Sequence, residues 1–145
     1  MTSAPPCQSI EDLIAQGAIT SLSPFDANQV QPASLDLRLG ERVWRVRASF
    51  LPGAGRKVTD RLADVAMHEL DLTQGAVLER GCVYIAEVQE RLKLPLGVSA
   101  RGNPKSSTGR LDVFTRVLTN NSRAFDDVAA EYDGPLYIEI APQTF

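Results

Sequence analysis

Near its start the chain carries apolar residues at helical spacing. Ile10, Leu13 and Ile14 share a face, Ser9 is placed to cap the N-terminus with Asp12 three residues on, and Gly17 can close the other end. Together they predict a short helix over 9–16. The Ser, Pro, Asp and Asn content of 17–32 predicts a surface loop. Beyond it the period changes to two. Residues 34–39 alternate apolar and polar strictly and end at Gly40, and 43–47 follow as a second candidate strand. Pro52-Gly53-Ala54-Gly55 reads as a turn, and 62–70 as a helical turn. Candidate strands then recur at 76–78, 83–88, 98–100, 113–118 and 136–140. A short helix is predicted over 105–111 and a polar loop over 126–134.

Many short strands at regular spacing predict a mainly β chain, an all-β sandwich or barrel with a small helical addition, and the length suits one domain over 1–145. After the last apolar strand come only Ala141-Pro142-Gln143-Thr144-Phe145. A closed β domain would have further strands to cover that edge, so the expectation is a domain truncated at its C-terminus, or one covered by partner chains.

Composition removes several classes of function. The net charge of −3 argues against duplex DNA or an anionic membrane as partner, because both need a broad basic surface. A small anionic ligand needs only a few clustered cations and stays open. The two cysteines, Cys7 and Cys82, make no disulfide scaffold, and the Met-Thr-Ser-Ala-Pro-Pro start is no signal peptide, so a reduced cytoplasmic chain is expected. Zinc-dependent nucleobase deaminases need an H-x-E…P-C-x-x-C set. The only histidine here is His68 and neither cysteine belongs to a C-x-x-C pair, so any deamination should be zinc-free. His68 is expected at the surface, Cys82 as a small core residue, and Trp44 in the core or an interface.

Two places carry candidate chemistry. Lys105, Ser106, Ser107, Thr108, Gly109 and Arg110 gather two cations, three hydroxyls and free helix-start amides in one turn, a combination suited to a triphosphate. No Walker A pattern is present, and composition alone favours a solvated basic turn. Glu139 interrupts an apolar strand and by alternation shares a face with Tyr137, while Leu136, Ile138 and Ile140 share the other. A solvent-facing strand glutamate and a general base held in a cleft are equally compatible with that pattern. Asp126, Asp127, Glu131 and Asp133 make the preceding loop acidic, suited to a sugar hydroxyl, a water-bridged magnesium ion or plain solvation. Asp36, between leucines, is read as structural, with Arg38 or a neighbouring chain as its partner.

In order and spacing these segments resemble the motifs of the dCTP deaminase and dUTP pyrophosphatase superfamily. The resemblance covers Pro32 to Gly40, Lys105 to Arg110, Phe125-Asp126 through Gly134, and Tyr137-Ile138-Glu139. Within the superfamily the chain looks most like a dCTP deaminase, and like the N-terminal part of a longer variant. The resemblance implies a distorted jelly-roll or β-clip (dUTPase-like) fold, a homotrimer or pseudo-trimeric assembly, and active sites between subunits. It implies zinc-free deamination of dCTP to dUTP and ammonia. Glu139 would activate water, and Ser106 and Arg110 would hold the water and the developing charge. Lys105, Ser107, Thr108 and Gly109 would take the phosphates, Asp126 the deoxyribose, and the backbone at Tyr137 and Ile138 the base edge. Magnesium would accompany the triphosphate. The rival within the resemblance is a dUTP pyrophosphatase, with Asp126 activating the water. A non-catalytic nucleotide-binding or oligomerisation module is the rival outside it.

Overall fold

The computed structural model describes residues 7–144; the N-terminal stretch read above for a signal peptide, residues 1–6, and Phe145 lie outside it. Helix α1 spans Cys7–Ala15 and buries Ile10, and Gly17 (φ 77°) ends the turn that follows. The chain then gives β1 (Ile19–Ser21), β2 (Leu39–Val46), α2 (Val58–Val65), β3 (Ala66–Asp71) and β4 (Val83–Lys93). It continues with β5 (Ala100–Arg101), α3 (Ser106–Gly109), β6 (Val113–Thr119), β7 (Asp127–Val128) and β8 (Asp133–Pro142).

The main sheet is antiparallel, in the order β3-β2-β4-β8-β6, with β1 pairing beside the far end of β4; β5 and β7 form a separate two-stranded ribbon. β4 and β8 lie at the centre, which is why their sequences are apolar on both faces rather than on one. One face of β8 places Tyr137 in a cluster with Val46, Phe50, Val58, Leu62, Ile85 and Leu118. The other contributes Leu136 and Ile140 to two further clusters, around Leu92 and Tyr132 and around Val43 and Tyr84. Between Leu39 and Val43 the register of β2 against β4 shifts, and a Cβ on Gly40 would sit 2.8 Å from the Glu87 carbonyl oxygen, so that bulge admits only glycine.

Several expected elements differ. Residues 34–38 are not a strand; their ladder contact is an isolated bridge between Val30 and Leu35, and only Leu39, the first residue of β2, pairs in the sheet, with Val88. Leu35 and Leu37 pack inward as the alternation requires, but the backbone amide of Asp36 donates to the Gln29 carbonyl (3.0 Å) and that of Arg38 to a side chain, Glu90 Oε2 (2.9 Å). Alternation reports which way side chains point, and the backbone found partners outside a sheet. Residues 76–78 form no strand either, and Val77 is 85% exposed. The stretch 62–70 divides into the end of α2 and most of β3, and the loops at 17–32 and 126–134 contain β1 and β7.

Asp36 also has a different partner. Its carboxylate accepts from the ammonium of Lys105, not from Arg38. Arg38 donates from Nε to Glu90 Oε1 (3.0 Å) and from its fork to Ser21 Oγ and the Pro24 carbonyl, while Gln29 Nε2 donates to the same carboxylate oxygen (2.7 Å). Glu90 is 1% exposed. This network ties the long 22–38 connection to β4, and neither Glu90 nor Gln29 is singled out by the sequence pattern. His68 is exposed on β3, Trp44 is half-buried with its Nε1 donating to Glu69 (3.0 Å), and Cys82 packs half-buried beside the third cluster.

Candidate active site

Glu139 lies on β8, the strand flanked by β4 and β6, opposite Ile85 on one side and Arg116 on the other. It is 5% exposed, and both carboxylate oxygens are engaged. Arg116 Nε and Nη2 donate to Oε1 at 3.1 and 2.6 Å, and Ser49 Oγ donates to Oε2. Arg116 Nη2 also donates to Ser49 Oγ at 3.0 Å, closing a three-residue ring of hydrogen bonds. The guanidinium carbon lies 3.7 Å from the centre of the Phe125 ring, within cation–π range. Glutamate on a central strand would cost several kcal/mol without such partners.

Asp126 follows Phe125 and adopts a left-handed backbone (φ 62°). Its amide donates to the Val117 carbonyl (2.9 Å), its Oδ1 accepts from the Val117 amide (2.8 Å), and its carbonyl accepts from the Gly102 amide (2.9 Å). This holds the aspartate loop against β6 one residue beyond Arg116. Tyr137 is buried in the core, where burial foremost, and then the charge of Glu87, pushes its phenol up to about 12. Its side chain belongs to the core, and its backbone, with that of half-buried Ile138, pairs in the ladders of β8 with β4 and β6.

The turn from Lys105 to Arg110 behaves differently. Ser106 to Gly109 form α3, with Lys105 at its N-cap, and all of the turn but half-buried Thr108 is exposed. Among the described residues neither Ser106 nor Arg110 hydrogen bonds to Glu139, and Lys105 is paired with Asp36. That pair lies at the surface, where such contacts contribute about 0–1 kcal/mol, so an anionic ligand can displace it. The structure thus brings Glu139, Tyr137, Ile138 and Asp126 together around β8 and β6. The cationic turn, which precedes β6, makes no hydrogen bond to this group among the described residues. Sequence reading missed Arg116, Ser49 and Phe125. The alternation in β6 marks the face Arg116 occupies, but its partner becomes visible only with the register of β6 against β8.

No group of three or more His, Cys, Asp or Glu able to hold a metal ion occurs among the described residues. No helix among them is long and apolar enough to cross a membrane.

The fold and site define a class: a mainly antiparallel β chain with a short N-terminal helix, presenting a buried carboxylate held by an arginine beside an aspartate loop. The model of the 2'-deoxycytidine 5'-triphosphate deaminase (DCD) N-terminal domain family matches residues 2–145, and the chain belongs to that family. A crystal structure of 2'-deoxycytidine 5'-triphosphate deaminase from Agrobacterium tumefaciens superposes with a TM-score of 0.94 at 56% identity, over 97% of this chain and 42% of that one. The dUTPase-like fold expected from the motifs is therefore the fold observed. A dCTP deaminase of Halorubrum lacusprofundi is 32% identical over 108 residues, which are 72% of this chain and 52% of that protein. A protein named dCTP deaminase, dUMP-forming, from Methanosphaerula palustris is 35% identical over 107 residues, 72% of this chain and 54% of its own length. The chain spans about half the length of the curated relatives it matches.

Proposed function

We propose that the protein is the catalytic N-terminal portion of a dCTP deaminase that replaces the C4 amino group of dCTP by oxygen without zinc. The observation that carries this reading is Glu139: a carboxylate buried on a central strand of this family's fold, fixed by its neighbours and followed through the register to the aspartate loop. Glu139 takes a proton from water as the water oxygen adds to C4, and delivers it to N3. The second proton of that water passes from the new hydroxyl to the amino group. The C4–N bond breaks and ammonia leaves. General acid–base catalysis of this kind contributes about 10²–10⁴-fold.

Ser106 and Arg110 hold the water and the developing charge, Lys105, Ser107, Thr108 and Gly109 contact the phosphates, Asp126 the deoxyribose, and the backbone at Tyr137 and Ile138 the base edge. In a single chain the cationic turn makes no bond to Glu139. This supports a site completed between subunits of a homotrimer or pseudo-trimer, with Ser106 and Arg110 arriving from a neighbour. Magnesium fits as a companion of the triphosphate: the described residues offer no acidic cage, and such an ion is commonly held by phosphate oxygens and water. A cytoplasmic location accords with a nucleotide substrate.

A second reading concerns the product. Relatives carry the name dUMP-forming, which supports release of dUMP and pyrophosphate after deamination. Incubating the full-length protein with dCTP and magnesium, then measuring ammonia, dUTP, dUMP and pyrophosphate, separates the two. Ammonia with dUTP is expected; ammonia with dUMP and pyrophosphate selects the second reading. No ammonia, or full deamination by Glu139→Gln, overturns the deaminase mechanism.

A further inference from the structure

We infer that Arg116 is a positioning residue for Glu139, braced by Phe125; this inference rests on the deaminase reading above. Arg116 faces Glu139 directly across the β6–β8 ladder, so both backbones are fixed in the central sheet. Two of its nitrogens bind one oxygen, Oε1, and leave Oε2 with only Ser49. With both cationic donors on Oε1, Oε2 carries a single neutral donor, the Ser49 hydroxyl, and keeps acceptor capacity for a proton, in one rotamer. Arg116 could swing outward, since its side chain is 43% exposed, but the Phe125 ring at 3.7 Å blocks that route on one side. Phe125 is itself anchored by the two hydrogen bonds that join Asp126, through its amide and its Oδ1, to the Val117 backbone. A sugar-binding aspartate, an aromatic brace, an arginine and the base therefore form one continuous chain of contacts, in which ligand engagement at Asp126 steadies the base. Lysine could not substitute, because the side-on pair of donors needs the planar fork.

The test uses steady-state kinetics of the full-length protein with dCTP. Arg116→Ala is expected to lower kcat about 10²-fold, the scale of a misplaced reacting group, with KM little changed. Arg116→Lys should fall between it and wild type. Guanidinium added to Arg116→Ala should raise kcat where sodium chloride at equal ionic strength does not. Phe125→Leu should lower kcat while leaving Arg116 in place. Should Arg116→Ala fail to fold, Arg116→Lys and Phe125→Leu carry the test: wild-type kcat in both overturns the inference. Loss of KM with unchanged kcat, or absence of guanidinium rescue in folded Arg116→Ala, also overturns it. These outcomes differ from failure of the underlying reading, in which the wild-type protein releases no ammonia or Glu139→Gln stays fully active; that result removes the role of Arg116 with it.

Discussion

Arg38 and Glu90 stand 52 positions apart in the sequence, yet Arg38 Nε donates to the Glu90 carboxylate across 3.0 Å, beneath the long connection that leads from β1 to β2. The carboxylate is fully buried while the guanidinium is partly exposed, so the charge that suffers from separation is that of Glu90. The pair fixes the segment carrying Asp36, which in turn holds Lys105.

Arg38→Ala should leave the Glu90 carboxylate buried without its cation. Loss of one partner of a buried pair costs about 3–5 kcal/mol, and the partial exposure of Arg38 places this case near the lower end. Urea denaturation read by circular dichroism measures it. Glu90→Gln, which keeps the contact with Arg38 but no charge, should cost less. A change within about 0.5 kcal/mol for Arg38→Ala would place the pair among ordinary surface contacts and end this account.

Gly102 is where the aspartate loop and β6 meet most closely. A Cβ there would lie 2.6 Å from Val117 Cγ2 and 3.0 Å from Asp126 Oδ1, and a β-branched valine in a strand has little room to yield. Gly102→Ala should destabilise by about 1–3 kcal/mol and raise KM for dCTP by displacing Asp126. Gly109→Ala, with no atom within 4 Å of the added methyl, serves as the thermal-melt control and should hold wild-type stability. Equal melting temperatures for the two variants would contradict the packing described.

Lys105→Gln tests whether the exposed ammonium serves the fold or the phosphates. Its pair with Asp36 is a surface contact, so stability should change by less than about 1 kcal/mol. A lost charge-assisted bond to phosphate, worth about 1.5–3 kcal/mol, should raise KM for dCTP at least tenfold. Lower stability with unchanged KM would assign Lys105 to the fold alone.

Tyr137 gives an alkaline signature. Its phenol is raised to about 12, chiefly by burial, from an ordinary value of 10.0. The folded value lies above the unfolded one, so its contribution is fully present below pH 10 and is lost as pH rises through about 12. Tyr132, also raised chiefly by burial, acts in the same direction. Tyr137→Phe should flatten the fall in stability measured by denaturant titration between those values. An unchanged slope would mean the phenol ionises as freely in the folded protein as in the unfolded one.

The family and part of the candidate site were legible in the residues. The order of the cationic turn, the aspartate loop and the Tyr137-Ile138-Glu139 strand carried the family, and alternation placed Glu139 and Tyr137 on one face correctly. Alternation also misled at 34–38, because inward-pointing Leu35 and Leu37 accompany a backbone that bonds to Gln29 and to the Glu90 side chain rather than to a strand. It could not distinguish a solvent-facing glutamate from a buried one at position 139.

What the sequence determined by itself was local: the first helix, the apolar runs of the central strands, and the absence of a zinc-ligand pattern, all of which depend on residues close together along the chain. Only the tertiary structure decided that Glu139 is buried, that Arg116 and Ser49 hold it, that Lys105 turns to Asp36, and that Glu90 anchors Arg38. Each of these contacts joins residues far apart in sequence. Their energies arise from shared desolvation and strand register, which no window of neighbouring residues contains.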